Sequence, residues 1–259
     1  MQGRVEASAS AVDFAIGGRL ASDAGLKGVR FETDNVFSLA EMQRLLADEW
    51  QVARAKCASV AAGTAVSISP VASRSRIALP DRPLIQMHLS GDVLDGDRRC
   101  SPAELPWEND SIQFLIVRHL TDCLSAASGF EEELARVLAP GGSLLLFGLN
   151  PLSTWRFWWA RHARGGLRMS RSATSMTMRR VLEQAGLEAA QQEYMGGAWP
   201  SSTRSSPSIM RRGASWHGAW LLVAEKRRVG MRPIRIAEPA NRISLNPSLA
   251  QATSRRANA

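Results

Sequence analysis

Apolar residues recur along this chain with two periods, and the stretch from Leu105 to Pro151 shows both in succession. Ser111 to Val117 is a short, mostly apolar run rich in Ile, Phe and Val, the composition of a strand covered on both faces. From Phe130 to Leu138 the spacing becomes helical. Phe130, Leu134, Val137 and Leu138 fall on one side, and Glu131, Glu132, Glu133 and Arg136 on the other. Pro140, Gly141 and Gly142 then end the helix, because proline cannot extend it and glycine accepts the positive φ of a C-terminal cap. Ser143 to Leu149 supplies the next buried strand. The order strand, helix, strand predicts a parallel pair joined by a right-handed crossover.

The same alternation is weaker elsewhere. Ser38 predicts the N-cap of a helix from Leu39 to Lys56, with Glu41 completing an S-x-x-E capping box. Its apolar stripe of Leu39, Met42, Leu45, Leu46, Trp50 and Ala53 has one charged interruption, Glu49. Strands are expected at Ala65 to Val71, at Leu84 to Leu89 and around Arg98 to Ser101. A helix from Thr177 to Gln184, closed by Gly186, leads to strands at Leu187 to Tyr194 and Gly218 to Glu225. Together these specify a doubly wound α/β fold, its sheet mostly parallel with an antiparallel C-terminal strand. Residues 1–35 and 229–259 have no sustained period and read as a poorly ordered extension and a basic tail around a domain at 36–228.

Several of these pieces carry a resemblance. The loop Leu105-Pro106-Trp107 with Ser111 behind it, the strand ending near His119, the helix closing in Arg136-Val137-Leu138-Ala139-Pro140-Gly141-Gly142 and the strand running into Phe147-Gly148-Leu149-Asn150-Pro151 resemble, in that order, the second half of class I S-adenosylmethionine-dependent methyltransferases. The segment from Gly148 to Trp155, Gly-x-Asn-Pro-x-Ser-x-Trp, is similar to the bacterial type 11 branch. The likeness extends more loosely to Lys226. It implies a Rossmann-like sheet that binds S-adenosylmethionine at the carboxyl ends of its strands.

The resemblance also implies where contacts should fall. After the first strand the family has a glycine-rich turn; this chain has Ser69 and Pro70, and no glycine until Gly91. At the end of the second strand, where the family has an acid for the ribose hydroxyls, stands Ser90, with Asp92 two residues on. The turn that bonds the adenine reads Ser101, Pro102, Ala103, with serine in place of the acid. Arg118 and His119 follow the fourth strand, where the methyl-transfer pocket is lined. His119 is open to two roles, general base or a strand cap bonded to backbone, and Asp122 to orienting substrate or starting a helix.

Composition narrows the remaining choices. At 259 residues the chain is long enough for one substantial core. No run is apolar enough to span a bilayer and the first residues lack a secretory core, so a cytoplasmic location is expected. Cys57, Cys100 and Cys123 are far apart and no histidine stands at ligand spacing, so no metal is expected. Charge is uneven: residues 151–259 carry 18 Lys and Arg against 5 Asp and Glu, whereas residues 1–150 carry 14 against 19. The basic half points to an anionic partner, nucleic acid or membrane surface, or to a merely solvated basic surface. Leu152 to Arg171 joins four aromatics to five arginines; helical from Ser153, it reads either as a docking or lid helix or as a helix packing tryptophans on the sheet.

Two functions remain. One is an S-adenosylmethionine-dependent methyltransferase acting by in-line displacement on an unidentified methyl acceptor. The other is an inactive relative of that fold that binds an anionic partner through its basic aromatic segment.

Overall fold

In the computed structural model, residues 35–73, 78–79, 81–124, 128–163, 173–201 and 216–227 are described. The expected tail and all but Asn35 of the expected extension lie outside them. Strands β1 (Ala65–Ser69), β2 (Leu84–Ser90), β3 (Val93–Gly96), β4 (Ile112–Arg118), β5 (Leu138–Leu149), β6 (Leu187–Met195) and β7 (Ala219–Lys226) form one sheet in the order β3-β2-β1-β4-β5-β7-β6. The strands β2, β1, β4 and β5 run parallel, as the crossover at Phe130 to Leu138 requires. β3 and β7 are antiparallel to their neighbours, and β6 pairs with β7 alone.

Both faces of the central strands are buried, which explains their unbroken apolar sequence. Alternate residues Val66, Ile68, Leu115, Val117, Leu144 and Leu146 pack with Phe130 and Leu134 of helix α3 (Phe130–Val137) and with Met178 and Leu182 of α5 (Ser175–Gln184). The intervening Phe114, Ile116, Leu145 and Phe147 pack with Met42, Leu45 and Ala53 of α1 (Ala40–Cys57) and with Trp155 and Trp159 of α4 (Trp155–His162). A short α2 (Leu120–Cys123) follows β4. Of the two readings of the aromatic segment, Trp155 and Trp159 take the packing one, while Phe157 stays exposed.

The similarity motifs have local work to do. Arg136 donates to the carbonyls of Leu105 and Trp107 at 3.0 and 2.9 Å, and Glu133 accepts from the Leu105 amide at 2.8 Å, so helix α3 staples the Leu-Pro loop against the sheet. Asn150 fixes the start of α4: its amide group donates to the His217 carbonyl at 3.0 Å, its Oδ1 accepts from Leu152 N at 3.2 Å, and its carbonyl accepts from the Ser153 hydroxyl at 2.7 Å. Trp155 then lies over Gly218, where an added Cβ would fall 2.4 Å from the indole nitrogen.

Three expectations need correction. Ser38 is not the N-cap: α1 begins after Leu39, and Ser38 belongs to a preceding 3-10 turn (Val36–Ser38) in which its hydroxyl donates to the Asn35 carbonyl at 2.7 Å. The strand expected around Arg98 to Ser101 lies earlier. Gly91, at φ +63°, turns the chain back at Ser90, and β3 pairs as an antiparallel hairpin with β2; Cys100 reaches only a single bridge to Leu94. The helix expected from Ser153 begins at Trp155.

Between β1 and β2, residues 70–73, 78–79 and 81–83 carry no helix. Consistent with this, only Met87 of β2 is fully buried, and Gln86 and His88 remain half-open on one face of the sheet.

Gly148 tests the β5–β7 packing. A Cβ there would fall 2.2 Å from the Trp220 ring, so Gly148→Ala should lower stability by about 1–3 kcal/mol, as overpacked cores do. Urea unfolding should show a reduced midpoint with unchanged slope, and Trp220→Phe in the same chain should restore part of the loss.

Candidate functional site

The open face of β1 and β2 forms a cleft of about 210 Å³. Its floor is polar, because Ser67 and Ser69 of β1 stand beside Gln86 and His88 of β2 in parallel register, all on the face that α1 covers farther along the sheet. Asp97, just after β3, borders one side and Arg118, the last residue of β4, the other. Ser69 donates to the Val71 carbonyl at 2.8 Å, and Asp97 accepts from the Gln86 amide at 2.9 Å.

Arg118 is 5% exposed and poorly satisfied. One guanidinium nitrogen reaches the Leu46 carbonyl at 3.5 Å, the carbon sits 5.9 Å from the Trp50 ring centroid, and Nε has no hydrogen-bond partner. Burial pulls its pKa below the ordinary arginine range, while the charge of Glu49 opposes the fall.

Behind Arg118 lies a sealed ionic cluster. His119 Nε2 is 2.7 Å from Glu49 Oε1 and its Nδ1 is 3.2 Å from Asp122 Oδ2; none of the three side chains is more than 2% exposed. Asp122 also accepts from the Leu149 amide at 2.9 Å. Burial alone would lower the histidine pKa, but Glu49's charge and the hydrogen bonds that the ring donates to both carboxylates outweigh it and raise the pKa to about 9. Asp122 is pushed up by burial against the hydrogen bond and charge of His119. At neutral pH the ring is therefore an imidazolium with both N–H groups donated. Both ring nitrogens thus face carboxylates, and His119 does not border the cleft. Glu49 Oε2 is buried there without a hydrogen-bond partner, and among the described residues no group of His, Cys, Asp and Glu could hold a metal ion.

The other expected contacts divide. Ser69 and Arg118 line the cleft, and Pro70 is buried at the end of β1. Ser90 is exposed at the end of β2, and Asp92 is exposed in the hairpin turn. Ser101 and Ala103 are exposed around a buried Pro102, with the Ser101 hydroxyl accepting from the Ala103 amide at 3.2 Å. None of Ser90, Ser101, Pro102 or Ala103 borders the cleft. Asp97, Gln86 and Glu49 were not expected. A signal existed for Glu49 alone, the single charge inside an apolar helical stripe, which calls for a buried partner.

The cluster makes stability depend on alkali. A histidine whose folded pKa is raised above its usual 6.5 contributes fully below that pH and loses the contribution as pH rises through about 9. Thermal unfolding of the wild type should weaken across that window by an amount of the order of 3 kcal/mol. His119→Gln should be less stable at pH 6.5 and should flatten the slope above it.

No protein-family model matches the sequence, and no curated protein matches it. Solved structures do. The sheet superposes on an S-adenosylmethionine-dependent methyltransferase of Thermotoga maritima with a TM-score of 0.51 and 12% identity, covering 74% of this chain and 93% of that one. An S-adenosylmethionine-dependent methyltransferase of Mesorhizobium loti matches with a TM-score of 0.44 and 13% identity over 69% of this chain and 98% of its own. With its strand order and its parallel centre flanked by antiparallel β6 and β7, the chain carries the class I S-adenosylmethionine-dependent methyltransferase fold.

Proposed function

We propose that the chain is an S-adenosylmethionine-dependent methyltransferase, and Arg118 is the observation that carries the reading. A guanidinium has five N–H donors. Here it is buried at the wall of a cleft with one long bond and an unpartnered Nε, a costly arrangement unless a ligand completes it. The cofactor brings an α-carboxylate, two ribose hydroxyls and a purine. Arg118 complements the carboxylate as a charge-assisted fork, while Asp97 and the hydroxyls of Ser67 and Ser69 complement the ribose. On this donor set the residues fit the group.

The fit is lean. The cleft is smaller than the roughly 300–1,000 Å³ of most ligand pockets, and each missing polar partner weakens binding by about 1 kcal/mol. When bound, the cofactor supplies a methyl group already activated as a sulfonium, so the protein's contribution is orientation and exclusion of water. Arg118 anchors, the β1–β2 hydroxyls and amide orient, and the His119 cluster holds α1 and Arg118 in place without exchanging a proton with substrate.

The positions of Ser90, Ser101, Pro102 and Ala103 outside the cleft favour a second reading, in which the fold binds an anion at Arg118 without methyl transfer. Thermal unfolding with S-adenosylhomocysteine separates the two. At about 100 times Kd the wild type should gain about 2.7 kcal/mol, and Arg118→Gln should lose most of that gain relative to its own unliganded baseline. No gain at millimolar ligand, together with a gain from phosphate or citrate, would establish the second reading instead.

A further inference from the structure

We propose that the outer surface of α4, with the chain ends that meet it from β6 and β7, docks the protein on an anionic phospholipid surface. Single exposed apolar residues are ordinary; a gathering of large ones is not. Leu152, Phe157, Trp199 and Trp216 are 68, 76, 69 and 75% exposed. The segments that carry them meet at the start of α4. Trp155 Nε1 donates to the Gly197 carbonyl at 2.9 Å, the Thr154 hydroxyl bonds the Ala198 carbonyl, and Asn150 donates to the His217 carbonyl at 3.0 Å. Each of the four exposed side chains stands one or two positions along the chain from a residue in those contacts.

Charge selects the occupant. Arg156 and Arg161 share the exposed face of α4 with Phe157, and no acidic residue occurs in 150–163, 194–201 or 216–224. An apolar surface rimmed by arginines matches a bilayer interface, where aromatic and aliphatic side chains enter the headgroup boundary and guanidinium groups meet lipid phosphates. A second copy fits poorly, because a two-fold contact would set arginines against arginines. Single-stranded RNA would use the aromatics for stacking but leaves Leu152 without a role. Among the described residues no helix is long and apolar enough to cross a membrane, so the contact is peripheral.

The inference does not rest on methyl transfer, and its test is separate. The full-length protein is floated with vesicles of phosphatidylglycerol and phosphatidylcholine, and with phosphatidylcholine alone. Binding should require the anionic lipid, fall with added salt and shift tryptophan emission to the blue. Phe157→Ser with Trp216→Ser should weaken vesicle binding at least tenfold with circular dichroism unchanged, and Arg156→Glu with Arg161→Glu should do the same. Three results would overturn the proposal: no flotation with anionic vesicles, undiminished binding by both double variants, or variant-sensitive binding to single-stranded RNA without vesicle binding.

Discussion

The bond between His119 Nε2 and Glu49 Oε1, 2.7 Å long and shut away from solvent, joins helix α1 to the end of β4. The rest of the carboxyl edge is built around it. Through Asp122 the same imidazolium reaches the amide of Leu149, so the ends of β4 and β5 and one turn of α1 share a single buried charge cluster. Phe37 and Trp159 close it from solvent, the Phe37 centroid lying 6.0 Å from the imidazole and 4.9 Å from Trp159. His119 adopts a left-handed backbone at φ +51°, which costs a non-glycine residue about 1–2 kcal/mol, and its amide bond to Phe147 at 2.9 Å helps hold it there. Removing one member of such a group leaves a charge buried without compensation, which costs more than the intact group contributes over an apolar packing.

Much of the frame was legible because burial leaves a mark on sequence. β4 and β5 are covered on both faces and therefore read as continuous apolar runs; α3 shows its stripe because one face meets the sheet and the other meets water. The parallel pairing followed from the order strand, helix, strand. What escaped was decided by contacts between distant residues or by competing local bonds. Ser38 has the right residue type and spacing for an N-cap, yet a 3-10 turn from Val36 to Ser38 moves the helix start to Ala40, with Leu39 at the cap. The hairpin β2–β3 turned on Gly91, whose spacing after β2 resembles an ordinary loop until the antiparallel register places Gly96 against Met87.

The cleft was the least legible part. A family-like site would gather its contacts from the turns after β1, β2 and β3. In this chain the described residues between β1 and β2 carry no helix, and a tight hairpin stands where a parallel third strand would run. The polar floor therefore comes from alternate residues within strands, Ser67 and Ser69 beside Gln86 and His88, rather than from the rim where Ser90 and Ser101 lie. Nothing local marks a serine in a buried strand as part of a cavity. Only the parallel register that sets Ser67 and Ser69 beside the half-exposed Gln86 and His88 does.

The end of β5 connects these features physically. Leu149 gives its amide to Asp122 in the charge cluster, and the next residue, Asn150, sets the start of α4 and the chain before β7. A shift in α1 or in the imidazolium therefore reaches α4 by two routes, through these two adjacent peptide units and through the direct packing of Met42 and Leu45 with Trp155 and Trp159. A strand paired on both sides has little freedom to absorb such a shift, since β5 bonds β4 over one edge and β7 over the other. The cleft wall and the aromatic surface are thus positioned by one rigid strand end, and the geometry of each constrains that of the other.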